Sequence, residues 1–157
     1  MGQEFWILPT KKDSKHVRKL VAQIGSTPSD KGNYRYVEGP SIDKYKLDCW
    51  IHWRGPRLEI GYAAGAYLGE WAKAIALEIC KRFRPKRAGH DAIGYIKDLD
   101  QFITTRPFDV EMRLRMDAMK RSSASEELKR KWEKEIQDMK QYQKIVTEGA
   151  AVAFKDL

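Results

Sequence analysis

Four successive apolar residues, Phe5, Trp6, Ile7 and Leu8, open the pattern of the chain and end at Pro9. A short run that is apolar on both faces predicts a strand inside a sheet rather than at its edge. The period then changes. Val17, Leu20, Val21 and Ile24 fall on one helical stripe, with Asp13 or Ser14 as cap, Gly25 as stop, and Lys15, Arg18 and Lys19 on the opposite face. Residues 26–33, STPSDKGN, read as a loop. Tyr34 to Val37 reads as a short strand closed by Gly39 and Pro40.

The segment from Leu47 to Phe83 carries the most information. With Arg54-Gly55-Pro56-Arg57 as a hairpin loop, Trp53 faces Leu58, Ile51 faces Ile60 and Cys49 faces Tyr62. All six side chains then share one face, as a core-facing register requires. The other face pairs His52 with Glu59 and sets Trp50 beside Gly61. A helix follows over about 68–83, with Leu68, Trp71, Ala72, Ile75, Ile79 and Phe83 on one side. Residues 92–96 are read as a last strand.

Beyond Pro107 the strictly alternating Phe108, Val110, Met112, Leu114 and Met116 permit a strand, but the helix formers and the Met112, Met116, Met119 spacing favour a helix capped by Asp109. Ser123 and Glu126 form a capping box for a final helix with Leu128, Trp132, Ile136, Met139, Tyr142 and Val146 on one stripe, ended by Gly149.

These elements predict an α+β protein: a mostly antiparallel sheet, two packed helices and a C-terminal helical hairpin. The order β-α-β-β-β-α-β resembles a ferredoxin-like sandwich with an extra strand. The expected division is an α+β domain at 1–105, a helical extension at 106–149 that packs on it, and a tail at 150–157. The stripe over 128–146 could also serve as a seam between two copies of the chain.

Composition sharpens this picture. With 42% apolar and 33% charged residues the 157-residue chain has enough apolar material for one core with much exposed helix. The net charge of +8 is uneven: residues 1–89 hold 17 Lys and Arg against 9 Asp and Glu, and residues 90–157 hold 13 against 13. An anionic partner would therefore meet the N-terminal part. Cys49 and Cys80 form no CxxC pair; reduced buried thiols are the commonest state on apolar faces, and a disulfide between them stays open. An acid and no basic residue stand before the first apolar run, so a signal peptide is not expected there, and no segment reaches the roughly 18 apolar residues of a membrane span. The expected location is the cytoplasm.

Two patches carry candidate chemistry. On the hairpin, Trp50, Arg54 and Arg57 surround the His52–Glu59 pair, in which a carboxylate could orient the imidazole as a general base. At the end of the helix, Lys81, Arg82, Arg84, Lys86 and Arg87 exceed what complementing a helix dipole requires. With Lys11, Lys12, Lys15, Arg18 and Lys19 they could neutralise phosphates. Gly61, Gly65 and Gly69 lack the Lys-Ser/Thr ending of a phosphate loop and read as close packing. His16, His52 and His90 show no metal-ligand spacing, and no cofactor signature is present.

The expectation is a non-enzymatic binding protein, an inhibitor or immunity-type chain that blocks a protein target through the aromatic hairpin face or the C-terminal helices. The alternatives are a nucleic-acid or other polyanion binder using 11–19 and 81–87, and an enzyme acting on a small phosphorylated molecule through His52 and Glu59.

Overall fold

A two-residue turn, Gly55-Pro56, sets the centre of the sheet. Gly55 takes φ +58°, the left-handed region that favours glycine. The hairpin it closes joins β3 (Tyr45–Arg54) to β4 (Arg57–Tyr62). Trp53 pairs with Leu58, Ile51 with Ile60, His52 with Glu59 and Trp50 with Gly61, so the expected register holds. The computed structural model describes residues 3–24, 34–42, 45–63, 66–90, 117 and 125–157.

The other strands are β1 (Gln3–Leu8), β2 (Arg35–Ile42) and β5 (Arg87–His90). They form one antiparallel sheet in the order β2-β3-β4-β1-β5. β1 is internal, between β4 and β5, as its doubly apolar run requires. β2 outlasts its expected end. It passes Gly39 and Pro40 with a register shift between Glu38 and Ser41, which an edge strand tolerates. The expected strand at 92–96 lies outside the described residues; the last strand seen starts earlier, in residues read as the end of the basic run.

Strand parity divides the sheet into two faces. The inner face carries Phe5, Ile7, Val37, Cys49, Ile51, Leu58, Ile60 and Tyr62, all buried. Helix α1 (Lys11–Gln23) seals one part of it with Val17, Leu20 and Val21. Its cap is Thr10, not Asp13 or Ser14: the Thr10 Oγ1 accepts from the Asp13 backbone N–H at 3.2 Å. Asp13, three residues on, returns a carboxylate to the Thr10 hydroxyl at 3.1 Å.

Helix α2 (Ala66–Arg82) lies over the middle of the same face, with Trp71, Ala72, Ile75, Ala76 and Ile79 fully enclosed. The Trp71 Nε1–H donates to the Val37 carbonyl at 2.9 Å, which ties helix to strand without leaving a buried donor unmet. Gly69 lets α2 approach Tyr62, since a Cβ there would sit 3.1 Å from the ring. Cys49 and Cys80 are both free and buried.

Helix α3 (Glu126–Ala153) packs on α2 and β2 through Val146, Ala150 and Phe154. Its cap is Ser125, which accepts from the Leu128 N–H at 3.3 Å, so the helix does not begin with the expected Ser123 box. Gly149 does not end it. The glycine sits where a Cβ would be 2.9 Å from Pro40, and the helix continues because that contact, not a cap, uses the missing side chain. The last residues are therefore not a free tail: Phe154 is buried, and Arg82 donates to its carbonyl at 2.7 Å. Of the first arm of the expected hairpin, only Asp117 is among the described residues, and it is helical.

Candidate functional site

The outer face of the sheet, turned away from α1, α2 and α3, is where the sequence candidates meet. Alternation puts Glu4 and Trp6 of β1, Tyr36 of β2, Trp50, His52 and Arg54 of β3, and Arg57, Glu59 and Gly61 of β4 on this side. Tyr34 stands just before β2, with its ring centroid 4.8 Å from that of His52.

Glu59 is the hub. It is fully buried, its Oε2 lies 3.0 Å from His52 Nε2, and its Oε1 accepts from Arg57 at 3.0 Å with Arg54 Nε at 3.4 Å. Glu4 Oε1 is 3.6 Å from the same His52 nitrogen. Burial alone would raise the Glu59 carboxyl. The hydrogen bond it shares with Glu4 and the charges of Arg54 and Arg57 outweigh that, and the group titrates below its ordinary value. His52 is also shifted downward. Desolvation dominates, Glu59 opposes it, and Arg54 adds to it. The imidazole is therefore neutral at pH 7, with Nε2–H turned to the carboxylates and Nδ1 as the proton-accepting nitrogen.

Glu4, His52 and Glu59 offer three ligand atoms within 4.8 Å of one another, close enough for part of a metal shell. The charges argue against that use. Both guanidiniums already hold the Glu59 carboxylate, and a divalent ion bound to it would add two positive charges beside them.

Aromatic residues finish the face. The pyrrole ring of Trp50 occupies the space a side chain at Gly61 would fill, and Trp6 lies similarly across Gly89. Arg57 covers the Trp6 ring with its guanidinium carbon 5.0 Å from the ring centroid. An open cleft of about 420 Å³ remains between Glu4, Tyr34, Tyr36 and Trp50.

The basic candidates divide. Arg54 pairs with Arg57, Ile7 with Leu58 and Leu8 with Arg87, so Arg54, Arg57, Leu8 and Arg87 form one row along the upper edge of the outer face. The Lys86 N–H donates to Leu8 at 2.8 Å, which brings this edge to the start of α1 and its lysines. The His16 and Phe83 rings stack at 6.3 Å, and Arg18 donates to Gly55 at 3.1 Å while lying 4.0 Å from the Trp53 ring centroid. Two segments some seventy residues apart thus become neighbours. Lys81 and Arg82 serve other ends: Lys81 pairs with Glu78 at 2.9 Å, and Arg82 holds the C-terminal turn.

Sequence reasoning missed Glu4, Tyr34 and Tyr36, although β1 alternation already placed Glu4 opposite Phe5 and Ile7. It also missed a second buried polar group beneath α2. The Tyr62 hydroxyl lies 2.7 Å from His90 Nε2 and 2.8 Å from Gln3 Oε1, while Lys73, fully buried, points at the Phe5 ring from 5.2 Å. Burial and then the nearby Glu70 charge raise the Tyr62 hydroxyl above its ordinary value, so it stays protonated. The available signal was the sparse polarity of α2, a helix apolar on nearly every side.

No family model, no curated protein and no solved structure matches this chain. Among the described residues no helix is long and apolar enough to cross a membrane.

Proposed function

We propose that the chain is a polyanion-binding protein whose ligand is nucleic acid, held along the edge formed by α1, the hairpin tip and the start of β5. One observation carries this reading: Lys11, Lys12 and Lys15 of α1, Arg54 of β3, Arg87 of β5, and Arg84 and Lys86 just before β5 are all exposed, at the end of the sheet where Leu8 meets Lys86 and Arg87. Among the described residues, the acids near that end are already engaged. Asp13 accepts from the Thr10 hydroxyl at the cap of α1, and Glu59 is buried under Arg57. A phosphate chain crossing this edge would displace counterions, and affinity would fall with salt.

Titration of a labelled single-stranded oligonucleotide at a series of salt concentrations tests the proposal. A log–log slope of about −3 is expected for four or five phosphates, at about 0.7 per contact. The Lys86→Ala, Arg87→Ala double variant should flatten it by about 1 to 2. A slope near zero, or one unchanged in that variant, refutes the reading.

The second reading is a protein blocker that docks through the outer face. It is favoured by the composition there, since Tyr34 and Tyr36 are 39% and 38% exposed beside Trp50 and Arg57. Trp, Tyr and Arg dominate the energetics of protein interfaces. Capture of one protein target, insensitive to salt and abolished by Tyr36→Ala, would select this reading over the first.

A further inference from the structure

The cleft on the outer face has a chemistry opposite to that of the basic edge. It is lined by three aromatic residues, Tyr34, Tyr36 and Trp50, and by the acidic Glu4. Its volume of about 420 Å³ lies within the roughly 300–1,000 Å³ of small-ligand sites. Among the described residues that line it, none is basic. The nearest cations on the hairpin are turned elsewhere: both guanidiniums reach Glu59 Oε1, and Arg57 also covers Trp6. Arg54 stands four residues along β3 from Trp50, about 13 Å at strand rise.

Aromatic faces carry the negative end of the ring quadrupole, and the oxygens of an acidic side chain add to it. Three aromatic residues and one acid lining the same cleft favour a cation, and they favour a soft, weakly hydrated one that can leave water for the rings. Phosphate would be repelled here, and a plain hydrocarbon would gain nothing from Glu4.

We propose that this cleft is a cage for an alkylammonium group, with Tyr34, Tyr36 and Trp50 enclosing the methyl or methylene carbons and Glu4 facing the charge. The group can be a free quaternary ammonium compound or the methylated lysine of a protein. Trp50 is fixed by its seat on Gly61, and Glu4 by its place on an internal strand beside His52. Tyr34 and Tyr36 stand at the edge strand, open to solvent, where an incoming ligand would enter. The site is independent of the basic edge, so either proposal can fail alone.

The full chain is titrated with tetramethylammonium, choline and the uncharged isostere 3,3-dimethylbutan-1-ol, and binding is read from tryptophan fluorescence and tyrosine NMR shifts. Both cations should saturate in the millimolar range or below, with the isostere at least about tenfold weaker. Tyr34→Leu, an exposed position whose loss leaves the core intact, should weaken the cations about 5- to 30-fold, the scale of one cation–π contact. Glu4→Gln should narrow the gap between choline and its isostere.

A peptide bearing trimethyl-lysine, compared with its unmethylated form, separates the two sources. Tighter binding of the methylated peptide than of choline assigns the site to a protein side chain, and equal binding assigns it to the free compound. Absence of saturable cation binding, equal binding of choline and its isostere, or an unaltered Tyr34→Leu variant overturns the proposal. Oligonucleotide binding measured on the same variants should be unchanged.

Discussion

Replacing Glu59 tests the central claim about the outer face, that a buried carboxylate organises it. In Glu59→Ala, His52 loses its 3.0 Å partner and, among the described residues, keeps Glu4 at 3.6 Å. Leaving a buried N–H poorly met costs about 1–3 kcal/mol. Arg57 loses a charge-assisted bond normally worth about 1.5–3 kcal/mol, but its side chain is 35% exposed and water recovers much of that. Arg54, 75% exposed, contributes little. The sum is about 3 kcal/mol, which for a chain of this size lowers Tm by about 6–12 °C. Glu59→Gln keeps the volume and one oxygen for Arg57, and should cost about half as much. Thermal and urea unfolding followed by circular dichroism measure both. A Glu59→Ala cost below about 1 kcal/mol refutes the hub argument, because a carboxylate with three partners and no solvent cannot leave so cheaply.

Acid should unfold the protein in two stages. His52 titrates below its ordinary 6.5, so the unfolded chain takes up a proton that the folded one resists, and stability falls as pH drops below about 6.5. Glu59 titrates below its ordinary 4.5, so its contribution persists above that value and disappears as pH falls through its folded value. A Tm–pH series should show the first stage flattened in His52→Gln; an unchanged profile contradicts it. Gly61→Val must push Trp50 off its seat, at a cost of about 1–3 kcal/mol and with a changed tryptophan emission. Emission identical to the parent would mean that the indole does not sit there. Phe154→Ala should cost about 3–5 kcal/mol in urea titration, whereas a free tail would lose nothing.

The hairpin was legible because its turn and its alternation agree. Only one register puts Cys49, Ile51, Trp53, Leu58, Ile60 and Tyr62 on one face, and a slip by one residue would bury His52 and Glu59 among hydrocarbon instead. The cap of α1 was misplaced because Thr10, Asp13 and Ser14 are all competent caps; the position of Pro9 and the end of β1 chose among them. Gly149 reads as a stop because an isolated helix has no other use for glycine, and Pro40 lies more than a hundred residues away in the chain. The candidate site was half visible. His52, Glu59, Trp50, Arg54 and Arg57 share a hairpin, whereas Glu4, Tyr34 and Tyr36 reach it only through pairing between distant strands.

What the sequence by itself determined is local: the periods of burial, the hairpin register, the His52–Glu59 pair and the excess of positive charge in the first 89 residues. Those properties depend on neighbours a few positions apart, which the chain specifies directly. The strand order, the burial of Lys73 and Glu70, the joining of the α1 lysines to Lys86 and Arg87, and the meeting of Glu4 with Tyr34, Tyr36 and Trp50 at one cleft were decided by the tertiary structure. They depend on which surfaces meet after the apolar faces close together, and many distant pairings satisfy the same local pattern until one of them excludes the most water.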